Sequence, residues 1–239
     1  MPEASYFPRG ISQYVATAEY AVSSDIDNRI HTVEFGALLA LNTANILITT
    51  LMVASAAVTI TAFSTTVGTA TAIGFNGVVP FVTLGTPGGW GRALTMVAST
   101  ANSRTVNVTG SDYLGQKMLE TFTLNGTAAV AGKKAFAYID SIIFTTGADT
   151  STVNVGYGNV FGVPFAMDAM IGEVKNGATS ANAATIAAAP LNATVQTATT
   201  PDARGTYLPV TTIPDGTNTF KIMYMKRMSN LHGNAQFGG

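Results

Sequence analysis

The chain has 239 residues, 12 of them basic and 13 acidic, a formal net charge of −1 and no cysteine. That balance excludes a global electrostatic pull toward nucleic acid or an anionic membrane, and the missing thiols exclude a disulfide framework, a cysteine nucleophile and a thiolate metal site. Thr, Ala, Gly, Val and Asn dominate, which predicts an all-β chain, because branched Cβ atoms suit a pleated surface and Gly and Asn supply the positive φ of tight turns.

Residues 1–34 carry Glu3, Glu19, Asp25, Asp27 and Glu34, show weak periodicity and contain two early prolines. They predict an extended arm that wraps a neighbour, with a short strand or helix near Ile11 to Ala21. The first residues lack the basic region and apolar core of a secretory signal, so manufacture in the reducing host cytoplasm is expected. Between Glu34 and Arg92 there is no charged residue. At the usual charged share of roughly 25 %, such a run arises by chance about once in 10⁷. A water-facing surface needs charge, so this part of the molecule is expected to face other protein or a bilayer.

Ile46 to Phe63 is long and apolar enough for a membrane helix. It is dense in β-branched residues, has no flanking Lys or Arg, and alternates in polarity over Val58 to Phe63, which favours strands within an assembly. Turn signals follow at Thr66 to Gly68, Phe75 to Gly77 and Gly85 to Gly89. Thr105 to Thr109 alternates, Gly110 to Gly115 turns, Gln116 to Leu124 alternates again, and Asn125-Gly126 is a strong hairpin signal. Ile139 to Thr145 and Val153 to Gly156 read as further strands. Residues 35–165 thus predict a main β-sandwich or jelly-roll-like domain. Residues 166–225 predict a long hairpin or loop with final strands, the Ala/Thr/Asn-rich part from 176 to 205 docking on neighbours. Residues 226–239 predict a flexible tail.

No motif supports chemistry, and no catalytic, cofactor-binding or metal-ligating residue is expected. His31 and His232 lie in the expected arm and tail, away from an ordered scaffold. Asp25-Ile26-Asp27-Asn28 lacks the Gly and distal Glu of a calcium loop. The glycines of Gly85 to Gly91 and of Gly156 to Gly162 do not have phosphate-loop spacing and read as strand-end turns. Trp90 reads as a packing anchor or interface residue rather than a sugar platform. Glu120 shares a face with Met118, Phe122 and Leu124, and Asp140 shares a row with Tyr138 and Ile142. Two such carboxylates suit a glycosidase, but inward or edge charges also block edge pairing, and the structural role is favoured.

The stretch Arg104 to Phe165 resembles head decoration (cement) and related structural proteins of tailed-bacteriophage virions. The likeness rests on Val108 to Gly115, Glu120 to Thr127, Gly132-Lys133-Lys134-Ala135-Phe136 and Val155 to Pro164. Asp202 to Pro209 and Asp215 to Thr217 are also similar. The resemblance implies a non-enzymatic β-rich subunit on the outside of an icosahedral shell, bridging capsomers. Its implied partners are the major capsid protein and copies of itself, a trimer among the arrangements, with no nucleic acid, membrane or cofactor. Two alternatives are a fibre or tail module binding receptor glycan through Tyr113, Tyr157 and Tyr207, expected in turns, and a tail-tube or head-completion subunit.

Overall fold

The computed structural model describes residues 29–63, 73–74, 90–180, 185–190, 200–234 and 236. The chain is all-β. Its strands are β1 (Ile30–Ala37), β2 (Asn42–Leu51), β3 (Val58–Ile60), β4 (Ala62–Phe63), β5 (Ile73–Gly74), β6 (Arg92–Ala98), β7 (Thr105–Ser111) and β8 (Lys117–Thr123), then β9 (Val130–Ala131), β10 (Tyr138–Phe144), β11 (Thr152–Gly162), β12 (Met167–Lys175), β13 (Ala178–Thr179), β14 (Thr185–Ala187), β15 (Thr206–Leu208) and β16 (Thr219–Lys226). Strand pairs are antiparallel throughout the described residues.

Two apolar cores share one long strand. In the first, the sheet β3-β10-β7-β8 packs on β2, β6 and the first half of β11. The alternation seen in the sequence does this work: Val106 and Val108 of β7, and Met118 and Phe122 of β8, all point inward. They meet Leu94, Met96, Val153, Val155 and Tyr157. Each such side chain, once buried, contributes roughly 1.5–3 kcal/mol. In the second core, the sheet β1-β16-β12-β13 places Val33, Phe35, Phe220, Ile222 and Tyr224 against Phe161, Val163 and Tyr207. Strand β11 therefore gives Tyr157 to one core and Phe161 to the other, and its pairing with β6 shifts register between those two residues.

Several expectations change. Gly156 to Gly162 is not a turn but lies inside β11. Gly156 and Gly162 admit neighbouring backbone: a Cβ on Gly162 would lie 2.2 Å from the Trp90 carbonyl oxygen. Asn125-Gly126 does turn, with Ala128 N–H donating to Asn125 O at 3.0 Å, but it forms no hairpin. The chain leaves β8 in one sheet and enters β9 in another, because β9 pairs with β6. The last residues of the expected arm, Ile30 to Glu34, belong to β1 and pair with β16; residues 1–28 lie outside the described residues. Part of the expected tail is held: Gln236 is buried and Ala166 N–H donates to Leu231 O at 2.8 Å, while residues 235 and 237–239 lie outside the described residues. From the segment 176–205, Asp202, Ala203 and Arg204 are buried in the subunit's own interior rather than displayed to neighbours.

Ile46 to Phe63 forms strands and turns, and no helix among the described residues is long and apolar enough to cross a membrane. The turn signals at 66–68, 75–77 and 85–89 lie outside the described residues.

Candidate functional site

Several of the charges that the chain carries are buried, among them Arg92, Asp112, Glu120, Lys134, Asp202 and Arg204. Arg92 follows the uncharged run and opens β6 at the joint between the two cores. Its guanidinium lies 4.3 Å from the Tyr157 ring centroid and 4.7 Å from that of Phe161. It also donates to the carbonyls of Gly158 and Leu39, the latter at 2.8 Å. Burial pulls its pKa down to about 10, with the Tyr157 interaction opposing. A delocalised cation can stack on rings while its in-plane N–H groups reach carbonyls, a combination a Lys ammonium cannot match.

A second group gathers residues far apart in the chain. Asp112 closes the β7–β8 turn, its Oδ1 accepting from the N–H groups of Leu114 (2.8 Å) and Gln116 (2.9 Å). Its Oδ2 accepts from Arg204 Nη1 at 2.6 Å. Arg204 also donates from Nε to Val163 O at 3.1 Å and lies 4.8 Å from the Tyr113 ring centroid. Asp202 takes Arg204 N–H at 3.0 Å, Ala135 N–H at 3.2 Å and Gln236 Nε2 at 3.3 Å. Glu120 Oε1 accepts from the N–H groups of Lys133 (2.7 Å) and Lys134 (3.2 Å), while Oε2 has no hydrogen-bond donor. Lys134 Nζ donates to Thr200 Oγ1 at 3.2 Å.

Burial dominates the electrostatics here. It pushes the Glu120 carboxyl up to about 7, against the lowering effect of the Lys133 and Lys134 amides and the Lys134 charge. It lowers the Lys134 ammonium, although Glu120 and Asp202 oppose. For Arg204, burial favours the neutral form, but Asp202 and Asp112 outweigh it and raise the pKa. A third buried cluster lies in the second core. There Tyr207 Oη donates to Glu173 Oε1 at 2.5 Å, and Lys175 Nζ sits 3.3 Å from Glu173 Oε2.

Glu120 points inward with Met118 and Phe122, as its row predicts, and β8 is an edge strand of its sheet. Asp140 departs from expectation. Pairing of β10 with β7 shifts register between Ile139 and Ser141, so Asp140 sits in a bulge. Ile139 and Ile142 turn inward and Asp140 turns out to Lys117 Nζ at 2.6 Å. The two carboxylates do not face a common space, so they cannot flank one glycosidic bond. The Lys117–Asp140 pair is exposed, and an exposed pair contributes at most about 1 kcal/mol. Asp140→Asn should therefore move chemical-denaturation stability by less than about 1 kcal/mol. A larger loss would mean that the bulge depends on the ion pair.

His31 lies on β1, within ordered structure and not in a free arm, its ring 4.8 Å from Phe165 and 5.7 Å from Tyr224. His232 lies on the other contact of Phe165, at 6.2 Å. Burial and the Lys226 charge both lower the His31 pKa. Trp90 packs edge-on against Phe35 at 6.0 Å, as an anchor of the second core. Tyr113 is in a turn, but Tyr157 and Tyr207 are strand residues and buried, so the three tyrosines form no exposed stacking platform. Asp25 to Asn28 lie outside the described residues. Among the described residues no group of three or more His, Asp or Glu is placed to hold a metal ion.

A cleft of about 550 Å³ is lined by Asn102, Arg104, Gly126, Thr145, Gly147 and Asp149. Arg104 is occupied by the protein itself. Its Nη atoms donate to the carbonyls of Val53, Ala56, Thr145, Gly147 and Asp149, and its Nε pairs with Asp149 at 3.2 Å. The cation thus ties three loops together and has no donor left for an anionic ligand.

Sequence reading missed the burial of Arg92 and the meeting of Lys134 and Arg204 around Asp202. The available signal was Arg92's place at the end of a long uncharged run and Arg204's two residues beyond Asp202, where exposure is not assured.

No family model, curated protein or solved structure matches this chain.

Proposed function

We propose that this chain is a non-enzymatic virion structural protein that decorates or cements the head of a tailed bacteriophage by bridging capsomers. It would act on the capsid exterior, with the major capsid protein and further copies of itself as partners. The carrying observation is the outside of the uncharged run. Leu41 (47 % exposed), Leu51 (61 %) and Val53 (53 %) stand on a stretch with no charged residue to keep it wet. Such a surface suits burial against protein, since obligate interfaces are large and apolar. The buried ion clusters add to this reading. Residues quoted for the virion-protein resemblance, Asp112, Glu120, Lys134, Asp202 and Arg204, serve internal cohesion, which a passive shell component needs. The glycan-binding alternative loses two of its three candidate tyrosines, Tyr157 and Tyr207, to the interior.

A cement subunit stabilises by mass action: a factor that binds the lattice but not its parts adds about 2.7 kcal/mol per site at roughly 100 times its Kd. Particles made without the chain should have normal geometry and rupture at lower temperature. Adding back purified chain should restore heat resistance. Leu51→Asp with Val53→Asp should weaken add-back without lowering the free subunit's own melting temperature. Equal heat resistance with and without the chain would end the cement reading; recovery of the chain as rings on isolated tails would replace it with a tail-tube role.

A further inference from the structure

We infer that the buried network around Glu120 is a pH-operated latch, in which ionisation of Glu120 loosens the grip of Asp202 on Gln236 and on the Lys133–Ala135 segment. The network holds three acids and two bases: Asp112, Glu120 and Asp202 against Lys134 and Arg204, all fully buried. The two aspartates have donors at both oxygens. Asp112 is served by the Leu114 and Gln116 amides and by Arg204. Asp202 is served by the Arg204 and Ala135 amides and by Gln236. Glu120 has donors on Oε1 and none on Oε2. The odd carboxyl is therefore Glu120. With it neutral the cluster carries two charges of each sign; with it ionised the cluster holds a net buried negative charge, which is costly.

The groups facing Glu120 set the direction. Lys134 faces it from the segment after β9, and Asp202 from the segment before β15, both acting electrostatically on the carboxyl. The remaining surroundings are apolar or backbone: Met118 and Phe122 on its own strand, Val108 opposite on β7, and Gly132, where a Cβ would lie 2.6 Å from Oε2. Ionised Glu120 draws on the Lys134 ammonium, whose present bond is to Thr200, and repels Asp202. Asp202 Oδ2 is the weak point, since its bonds to Ala135 N–H and Gln236 Nε2 are long, at 3.2 and 3.3 Å. Gln236 Oε1 in turn accepts from Ala203 N–H at 3.1 Å, so the same release also frees the Ala203 amide.

The sign follows from linkage. The folded-state pKa of Glu120 is raised from 4.5 to about 7, so its neutral form favours folding. That contribution is complete below the unfolded value and is lost as pH rises from about 4.5 through about 7.

Amide hydrogen exchange on the full chain, corrected for intrinsic rates, tests the latch at about pH 5.5 and about pH 8.5. Protection of the Ala135 and Ala203 amides should fall by about tenfold or more at the higher pH. Glu120→Gln, which keeps the acceptor for Lys133 and cannot ionise, should hold protection at both. Unchanged wild-type protection, or a Glu120→Gln protein that loses it in parallel, overturns the latch. If that variant does not fold, the side-chain carboxyl ¹³C titration of wild-type Glu120 decides. A midpoint near neutrality supports the latch, and one in the ordinary carboxylate range refutes it.

Discussion

Replacing Arg204 by Met should lower the melting temperature by roughly 6–20 °C. Breaking a buried ion pair by removing one partner costs about 3–5 kcal/mol, and in a chain of this size each kcal/mol shifts melting by about 2–4 °C. The loss is large because Arg204 is shared. Its Nη1 meets Asp112 at 2.6 Å, its Nη2 approaches Asp202 at 3.6 Å, and its Nε satisfies the Val163 carbonyl at 3.1 Å. Met fills much of the stem volume over Tyr113 but leaves two carboxylates in a dry interior. Adding Asp112→Asn should recover much of the loss, since Asn keeps the Oδ1 acceptor for Leu114 and Gln116 and carries no charge. Calorimetry of the two variants checks this. A single variant melting within about 2 °C of wild type would show that water reaches the network.

Two glycines of one strand should behave in opposite ways. Gly156→Ala is expected to cost about 3 kcal/mol or more and to lower melting by at least about 6 °C, whereas Gly158→Ala should change stability by less than about 1 kcal/mol. A Cβ on Gly156 would lie 1.8 Å from the Asn42 carbonyl oxygen and 2.5 Å from the Thr43 carbonyl carbon. Both are backbone atoms and cannot step aside. The closeness comes from register: β2 spends Asn42 to Leu47 opposite only Tyr157 to Val155 of β11, so its extra residues arch over Gly156. At Gly158 the nearest atom to a new Cβ is 3.6 Å away, an ordinary contact, and the residue does not need a left-handed backbone. Urea denaturation of the pair reads the difference directly. Equal stability of the two alanine variants would mean that β2 does not cross β11 here.

What could be read without the fold was local. The alternation at Thr105 to Thr109 and Gln116 to Leu124 marked β7 and β8, because a period of two sorts side chains onto two faces wherever the strand lies. The inward position of Glu120 followed from the same rule. Asp140 did not, because a bulge inserts one residue and reverses the alternation beyond it, and nothing in Tyr138-Ile139-Asp140-Ser141 announces the insertion. The glycines of β11 were misread as turns for a related reason. Glycine serves a turn and a close backbone approach equally well, and only the crossing of β2 separates the two uses.

Composition and local pattern alone determined that this chain is built of strands and that it carries an unusually long uncharged run. Tertiary structure decided which strands pair, that β11 serves two cores, and that Asp112, Glu120, Lys134, Asp202, Arg204 and Gln236 meet in one buried place. The physical reason is range: a side chain's face depends on its immediate neighbours in the chain, whereas a charge's cost depends on which distant segments exclude water from it.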